Sequence, residues 1–255
     1  SLCEVLSDYR TLSEKIGCAV FRALATASLR DLFNADEVIR TVRRNCGVEI
    51  EIIGGEREAE LGFIGFCDAA AGRFKWGPED GLFVDMGGGS AEFVAIRGGC
   101  SVARTSLPLG ALRLYHTFVS GLLPTEQERE VLTSHVENLL SEGLPIPPFG
   151  GETLYLTGGT AKAIGKVLAR RFSLPAGNMA EYSPAHFLTL SSELAAGDPS
   201  LFHRLGAWVP DRLPMLIPGL TVICLLLSRV GTTRVFTVYS GIRDGFMIDR
   251  LRKEL

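Results

Sequence analysis

Asp85-Met86-Gly87-Gly88-Gly89-Ser90-Ala91-Glu92 lies between two apolar runs, Gly81-Leu82-Phe83-Val84 before it and Phe93-Val94-Ala95-Ile96 after it. The order reads as strand, tight glycine turn, strand. Three successive glycines allow positive φ and carry no Cβ, so amide N–H groups can point into one concavity suited to a phosphate. Ser90 adds a hydroxyl donor. Asp85 at one strand end and Glu92 just past the turn put carboxylates beside that phosphate, where Mg²⁺ with its retained waters would sit. A plain glycine-rich hairpin needs only the glycines; the serine and the two carboxylates favour phosphate plus metal.

Working outward, the turn joins the first two of three expected strands, Gly81–Asp85, Ala91–Arg97 and Ser101–Leu107. A helix follows, opened by Pro124-Thr125 with Glu128 at capping-box spacing. Then come a strand at Thr153–Leu156, a helix at Ala161–Arg171, a strand at Val235–Tyr239 and a helix at Ile242–Lys253. Three strands followed by α-β-α-β-α make an RNase H-like unit. Upstream, helix Glu4–Ile16, strand Ala19–Ala25, helix Asp36–Arg44, strand Val48–Ile53 and helix Glu56–Cys67 give only the second part of such a unit. The expected fold is therefore α/β with two RNase H-like lobes, the first without its opening strands. The lobes divide at a linker over 69–80, giving 1–78 and 79–255, the second with a helical insertion.

Composition narrows the class. The chain of 255 residues is 46% hydrophobic and 22% charged, which excludes a disordered chain. A net charge of −3 gives no reason to expect nucleic acid or an acidic membrane surface. The run Leu216 to Leu227, containing Pro218 and Gly219, is too short to cross a bilayer and reads as a buried helix. Six dispersed cysteines without a C-x-x-C pair read as reduced core thiols of a cytoplasmic protein, and four dispersed histidines offer no zinc spacing.

Gly158-Gly159-Thr160 stands at a strand-to-helix junction, where orphan N–H groups and the helix dipole favour an anion. Taken alone, a glycine turn followed by solvated lysines (Lys162, Lys166) explains it equally well; with the first loop it forms a two-loop clamp. Glu56, Glu58 and Glu60 open the helix after Gly54-Gly55. Carboxylates in a first turn commonly serve the dipole, yet one facing the phosphate could orient a water against phosphorus, and spacing alone does not choose which. Arg40, Arg43 and Arg44, and the basic C-terminal residues, read as solvated faces.

The chain resembles the exopolyphosphatase/guanosine pentaphosphate phosphohydrolase (Ppx/GppA) family of the acetate kinase–Hsp70–actin superfamily. The matching segments run in family order: Ala25-Thr26-Ala27-Ser28-Leu29-Arg30, Ile53-Gly54-Gly55-Glu56-Arg57-Glu58-Ala59, and Asp85 to Glu92. Ser106-Leu107-Pro108-Leu109-Gly110-Ala111-Leu112-Arg113, Thr157 to Thr160, Pro218-Gly219 and Ser240-Gly241-Ile242-Arg243-Asp244-Gly245 complete them. The resemblance implies an Mg²⁺-dependent hydrolase acting on the terminal phosphate of polyphosphate or guanosine pentaphosphate, with Glu58 as catalytic base. Asp85 and Glu92 would hold Mg²⁺, while Arg30, Gly87, Gly88, Gly89, Ser90, Gly158, Gly159 and Thr160 would bind phosphate. It leaves room for a homodimer and implies neither nucleic acid nor membrane as partner. The departures are Glu60 where the family usually has arginine, Asp244 for glutamate, Ile242 for leucine, and no opening Asp-x-Gly-Ser hairpin. That last departure reads as a truncated sequence, whose first lobe should be unstable and whose activity should be low.

Overall fold

The computed structural model of the chain describes residues 1–74, 77–144 and 153–254. It contains two compact units, Ser1–Arg57 and Glu58–Leu255. The lobe boundary read from sequence is at 78/79; the compact units meet inside the first turn of the helix Gly55–Ala70.

In the first unit, helix α1 (Leu2–Lys15) opens on a capping box formed by Ser1 and Glu4. Strand β1 (Ala23–Ala25), helices α2 (Ala27–Arg30) and α3 (Ala35–Cys46) and strand β2 (Ile50–Ile52) follow. β1 and β2 run parallel, Ala23 opposite Ile50 and Ala25 opposite Ile52. The strand expected from Ala19 is shorter because β2 offers only three partners. Arg10 of α1 ties the end of α3 down, its Nη1 donating to the carbonyls of Cys46 and Gly47 at 3.1 Å each. Nevertheless α1 exposes Leu2, Val5, Tyr9 and Leu12, and Ile16 just past its end is exposed too.

The second unit takes α4 (Gly55–Ala70) from Glu58 onward, then the meander β3 (Gly81–Met86), β4 (Ala91–Arg97) and β5 (Cys100–Leu107). Next come α5 (Ala111–Phe118), α6 (Glu126–Gly143), β6 (Thr153–Thr157), α7 (Gly158–Phe172), β7 (Ala180–Tyr182), α8 (Pro184–Ala196) and α9 (Pro199–Trp208). The short 3₁₀ turn Pro210–Arg212 leads into α10 (Leu213–Val230), β8 (Arg234–Thr237) and α11 (Ile242–Glu254).

The strands form one sheet in the order β5-β4-β3-β6-β8-β7. β3, β4 and β5 pair antiparallel, β3, β6 and β8 parallel, and β7 returns antiparallel to β8. Without β7 this is the RNase H-like order expected from the sequence.

Period-two alternation splits the strands between two cores. Leu82, Val84, Met86, Phe93, Leu154, Leu156 and Val235 face the helices α5 to α10. Phe83, Val94, Ile96, Tyr155 and Phe236 face the other layer, where Ala59, Phe66 and Ala70 of α4 cover them. α11 crosses α4 where two glycines meet: a Cβ on Gly245 would overlap the Leu61 carbonyl and lie 3.0 Å from the Gly65 nitrogen.

Pro210–Val230 is long and apolar enough to cross a membrane, longer than the run read from sequence. It is a core helix here, because Leu216, Leu220, Val222, Ile223, Leu226 and Val230 are buried in the larger core. Pro218 is carried inside the helix instead of ending it.

Candidate active site

Asp85 and Glu92 are opposite one another in the β3–β4 ladder. Both fall on the α4 side of the sheet, since their neighbours Val84 and Phe93 pack into the other core. A Cβ added to Gly62 would sit 3.4 Å from Asp85 Oδ2, so α4 lies directly over that carboxylate. One turn before Gly62, Glu58 is 4% exposed, against 7% for Asp85 and 1% for Glu92. Three carboxyl groups are thus gathered out of water.

The electrostatics follow from that burial. Desolvation, then the Glu58 charge, pushes Asp85 up to about 7, against a smaller pull from Lys162. Desolvation and Glu58 likewise push Glu92 up to about 8, although Ser90 and Ser106 hydrogen-bond to it. Ser106, its neighbour across the β4–β5 ladder, donates from Oγ to Glu92 Oε1 at 2.8 Å.

The first glycine loop is fixed by its carbonyls. Gly87 N donates to the Ser90 carbonyl at 3.0 Å, while Ala111 N and Arg113 N of α5 donate to the carbonyls of Gly87 and Gly88 at 3.1 and 2.9 Å. The N–H groups of Gly88 and Gly89 have no partner among the described residues. Here the expected positive φ is corrected: Gly87, Gly88 and Gly89 all stay outside the left-handed region. What the loop requires is clearance, because a side chain on Gly110 would collide with the Gly88 carbonyl.

The second loop is where positive φ occurs. Gly158, at φ +91°, starts α7 beside the end of β3, and a Cβ there would stand 2.7 Å from Asp85 Oδ1. Asp85 and Thr157 are register partners across β3 and β6, so the two loops are neighbours. Thr157 is the α7 N-cap but does not cap with its side chain. Its Oγ1 donates instead to the carbonyls of Val238 and Ser240, at 3.0 and 2.7 Å. Lys162 Nζ donates to the Ser240 carbonyl at 3.3 Å.

One residue escaped the sequence reading. Arg212, in the 3₁₀ turn before α10, lays its guanidinium against Gly159, where a Cβ would be 2.8 Å from Nη2. With Lys162, Lys166, Trp208 and Tyr239 it lines a cleft of about 420 Å³ leading away from the start of α7. No local pattern marks it, since the residue comes to Gly159 only through packing of α9 and α10 on α7.

The other expected residues separate clearly. Glu56 is exposed. Glu60 pairs with Arg104 of β5 at 3.6 Å. Arg30 belongs to the first unit, where Nη1 donates to the Ile53 carbonyl at 3.0 Å.

Among the described residues no three His, Cys, Asp or Glu side chains form a metal cage. Mg²⁺ does not need one, since it binds through one or two carboxylates, substrate phosphate and retained water. Buried Asp85 and Glu92 fit that mode, because a divalent cation offsets the desolvation and the Glu58 repulsion that raise both.

A sequence model of the Ppx/GppA phosphatase family matches residues 1–254. The chain belongs to this family. Exopolyphosphatase 1 of Mycobacterium tuberculosis is 24% identical over 259 residues, spanning 99% of this chain and 73% of its own length. Two solved structures share the fold. A Cytophaga hutchinsonii exopolyphosphatase superposes with a TM-score of 0.82 at 20% identity, covering 98% of this chain and 80% of its own. The Aquifex aeolicus Ppx/GppA family member reaches 0.76 at 23% identity, covering 99% and 81%. Membership supports the Ppx/GppA resemblance read from the motifs.

Proposed function

We propose that this member of the phosphatase family releases the terminal phosphate of inorganic polyphosphate or of guanosine pentaphosphate, with Glu58 as general base. The observation that carries the reading is the selective burial of Glu58 against Asp85 and Glu92, while Glu56 is exposed and Glu60 is engaged by Arg104. The relative named as an exopolyphosphatase supports the polyanionic substrate class. The six cysteines are not core residues as expected, four being half-buried and Cys18 and Cys100 exposed, but all are free thiols, and the proposed setting is the reducing cytoplasm.

The terminal phosphate would sit between the two loops, its oxygens accepting from the N–H groups of Gly88, Gly89 and the first turn of α7. Ser90 and Thr160 add hydroxyls, and Lys162 and Arg212 fixed positive charge. Asp85 and Glu92 would hold Mg²⁺, which when bound supplies charge neutralisation at the transferred phosphoryl group. Glu58, ionised, takes the proton from a water held against phosphorus on the side opposite the leaving oxygen.

Glu58→Gln tests the assignment. The amide keeps the shape but cannot accept a proton. Phosphate release should fall to background while polyphosphate binding, measured by filter retention, stays near wild type. Near wild-type turnover in that variant would remove Glu58 from the chemistry.

A further inference from the structure

Behind α10 lies a second cavity, remote from the carboxylates and unused by the proposed hydrolysis. It measures about 240 Å³ and is half-enclosed between α6, α8 and α10. That is roughly eight water volumes, enough for a ligand of about ten heavy atoms. Its floor is apolar, with Ile217 and Leu220 of α10, while Thr133, Ser191 and Thr221 add hydroxyls.

Arg129, half-buried in the first turn of α6, lines this cavity and the shallower groove outside it. Its Nη1 reaches only the Pro124 carbonyl, at 3.4 Å, and among the described residues it has no carboxylate partner. Exposed Glu126 and Glu130 line only the outer groove. The inner part therefore presents a cation above an apolar floor.

The same turn of α10 has a second face. Gly219 packs against Thr160 of the phosphate loop, and a Cβ there would overlap the Thr160 methyl and come within 3.3 Å of Met86 Sδ. Ile217 and Leu220, on either side of Pro218-Gly219, line the cavity. Anything that shifts this turn meets Thr160, because no space separates them.

We propose that the cavity binds a short amphipathic monocarboxylate, its chain on Ile217 and Leu220 and its carboxylate on Arg129, and that occupancy acts through α10 on the Thr160 loop. The binding half stands by itself; the coupling half rests on the phosphate-site reading above.

Octanoate, with ten heavy atoms, is the probe, and octyltrimethylammonium is the control of opposite charge. Calorimetric titration of the full chain should give one saturable octanoate site and none for the cation. Arg129→Gln should weaken octanoate about tenfold or more, the loss expected for a charge-assisted hydrogen bond. Ala195→Phe, at the exposed mouth, should abolish binding by plugging the cavity without touching the core. Equal binding of both surfactants, or octanoate binding unaffected by either variant, overturns the site. Saturating octanoate should change phosphate release from polyphosphate by about fivefold, the low end of ordinary coupling between sites. Binding with unchanged turnover overturns the coupling alone. A chain that binds octanoate but neither binds nor hydrolyses polyphosphate overturns the phosphate-site reading while leaving the cavity site intact.

Discussion

Raising the pH of the metal-free protein should destabilise it in a range where most proteins are indifferent. The cause is the buried pair on the sheet. Asp85 moves from 3.8 in a free chain to about 7 in the fold, and Glu92 from 4.5 to about 8. A folded carboxyl that holds its proton longer than the unfolded chain favours the fold at low pH. That advantage is complete below about pH 4 and is lost as pH climbs to 7 for Asp85 and 8 for Glu92. At about 1.4 kcal/mol per pH unit, the full effect of Asp85 is on the order of 4 kcal/mol, and roughly 3 of these fall between pH 5 and pH 8. Glu92 acts in the same direction, but the two share one repulsion and do not add in full. Groups held low, such as Glu181 beside Arg234 and Asp198 beside Ser200, act in the opposite direction and only at more acidic pH. Urea unfolding without divalent cations at pH 5 and pH 8 should therefore show lower stability at pH 8. Asp85→Asn should remove much of the slope and be the more stable protein at pH 8. Mg²⁺ should restore wild-type stability at pH 8 more than at pH 5, because it binds the ionised pair. A flat profile, or an asparagine variant weaker than wild type at pH 8, would refute the reasoning.

Two packing predictions accompany it. Gly245→Ala drives a methyl into the Leu61 carbonyl where α11 crosses α4, and should cost about 3 kcal/mol in chemical denaturation; a loss below a few tenths would mean that the crossing is loose. Gly158→Ala forces a side chain to φ +91° and against the Met86 carbonyl and Asp85. It should lower stability by about 2–4 kcal/mol and bring phosphate release to background, whereas full activity in a folded variant would exclude the second loop from the site.

The meander and the two glycine loops were legible because their signals are local: apolar strands cut by glycine, then glycine again at a strand-to-helix junction. α8 and α9 carried equally local signals that went unread. Ser183-Pro184 and Asp198-Pro199 each pair an N-cap with proline at the first helical position, and Gly197 between them ends α8 in the left-handed conformation. β7 is different in kind. Its three residues become a strand only by pairing with β8, as Ala180 with Thr237 and Tyr182 with Val235, so no amount of local reading would find it. Arg212 is invisible for a similar reason, being brought to Gly159 by tertiary packing.

The choice among the three glutamates of α4 was more legible than spacing suggested. Residues on a helix advance about 100° each, so positions i, i+4, i+7 and i+8 share a face. From Glu58 that face runs through Gly62, Gly65 and Phe66, and all four are buried. Glu56 and Glu60 stand roughly 200° to either side, which explains why one is exposed and the other meets Arg104 at the sheet's edge. A carboxylate on the apolar face of a helix is costly unless something uses it. That cost is increased here, because the Glu58 charge bears on buried Asp85 and Glu92 instead of standing off in water. A helix built only to cover the sheet would place a leucine at 58. A carboxylate there, pressed onto two others, makes sense when a cation and a phosphate fill the space between them.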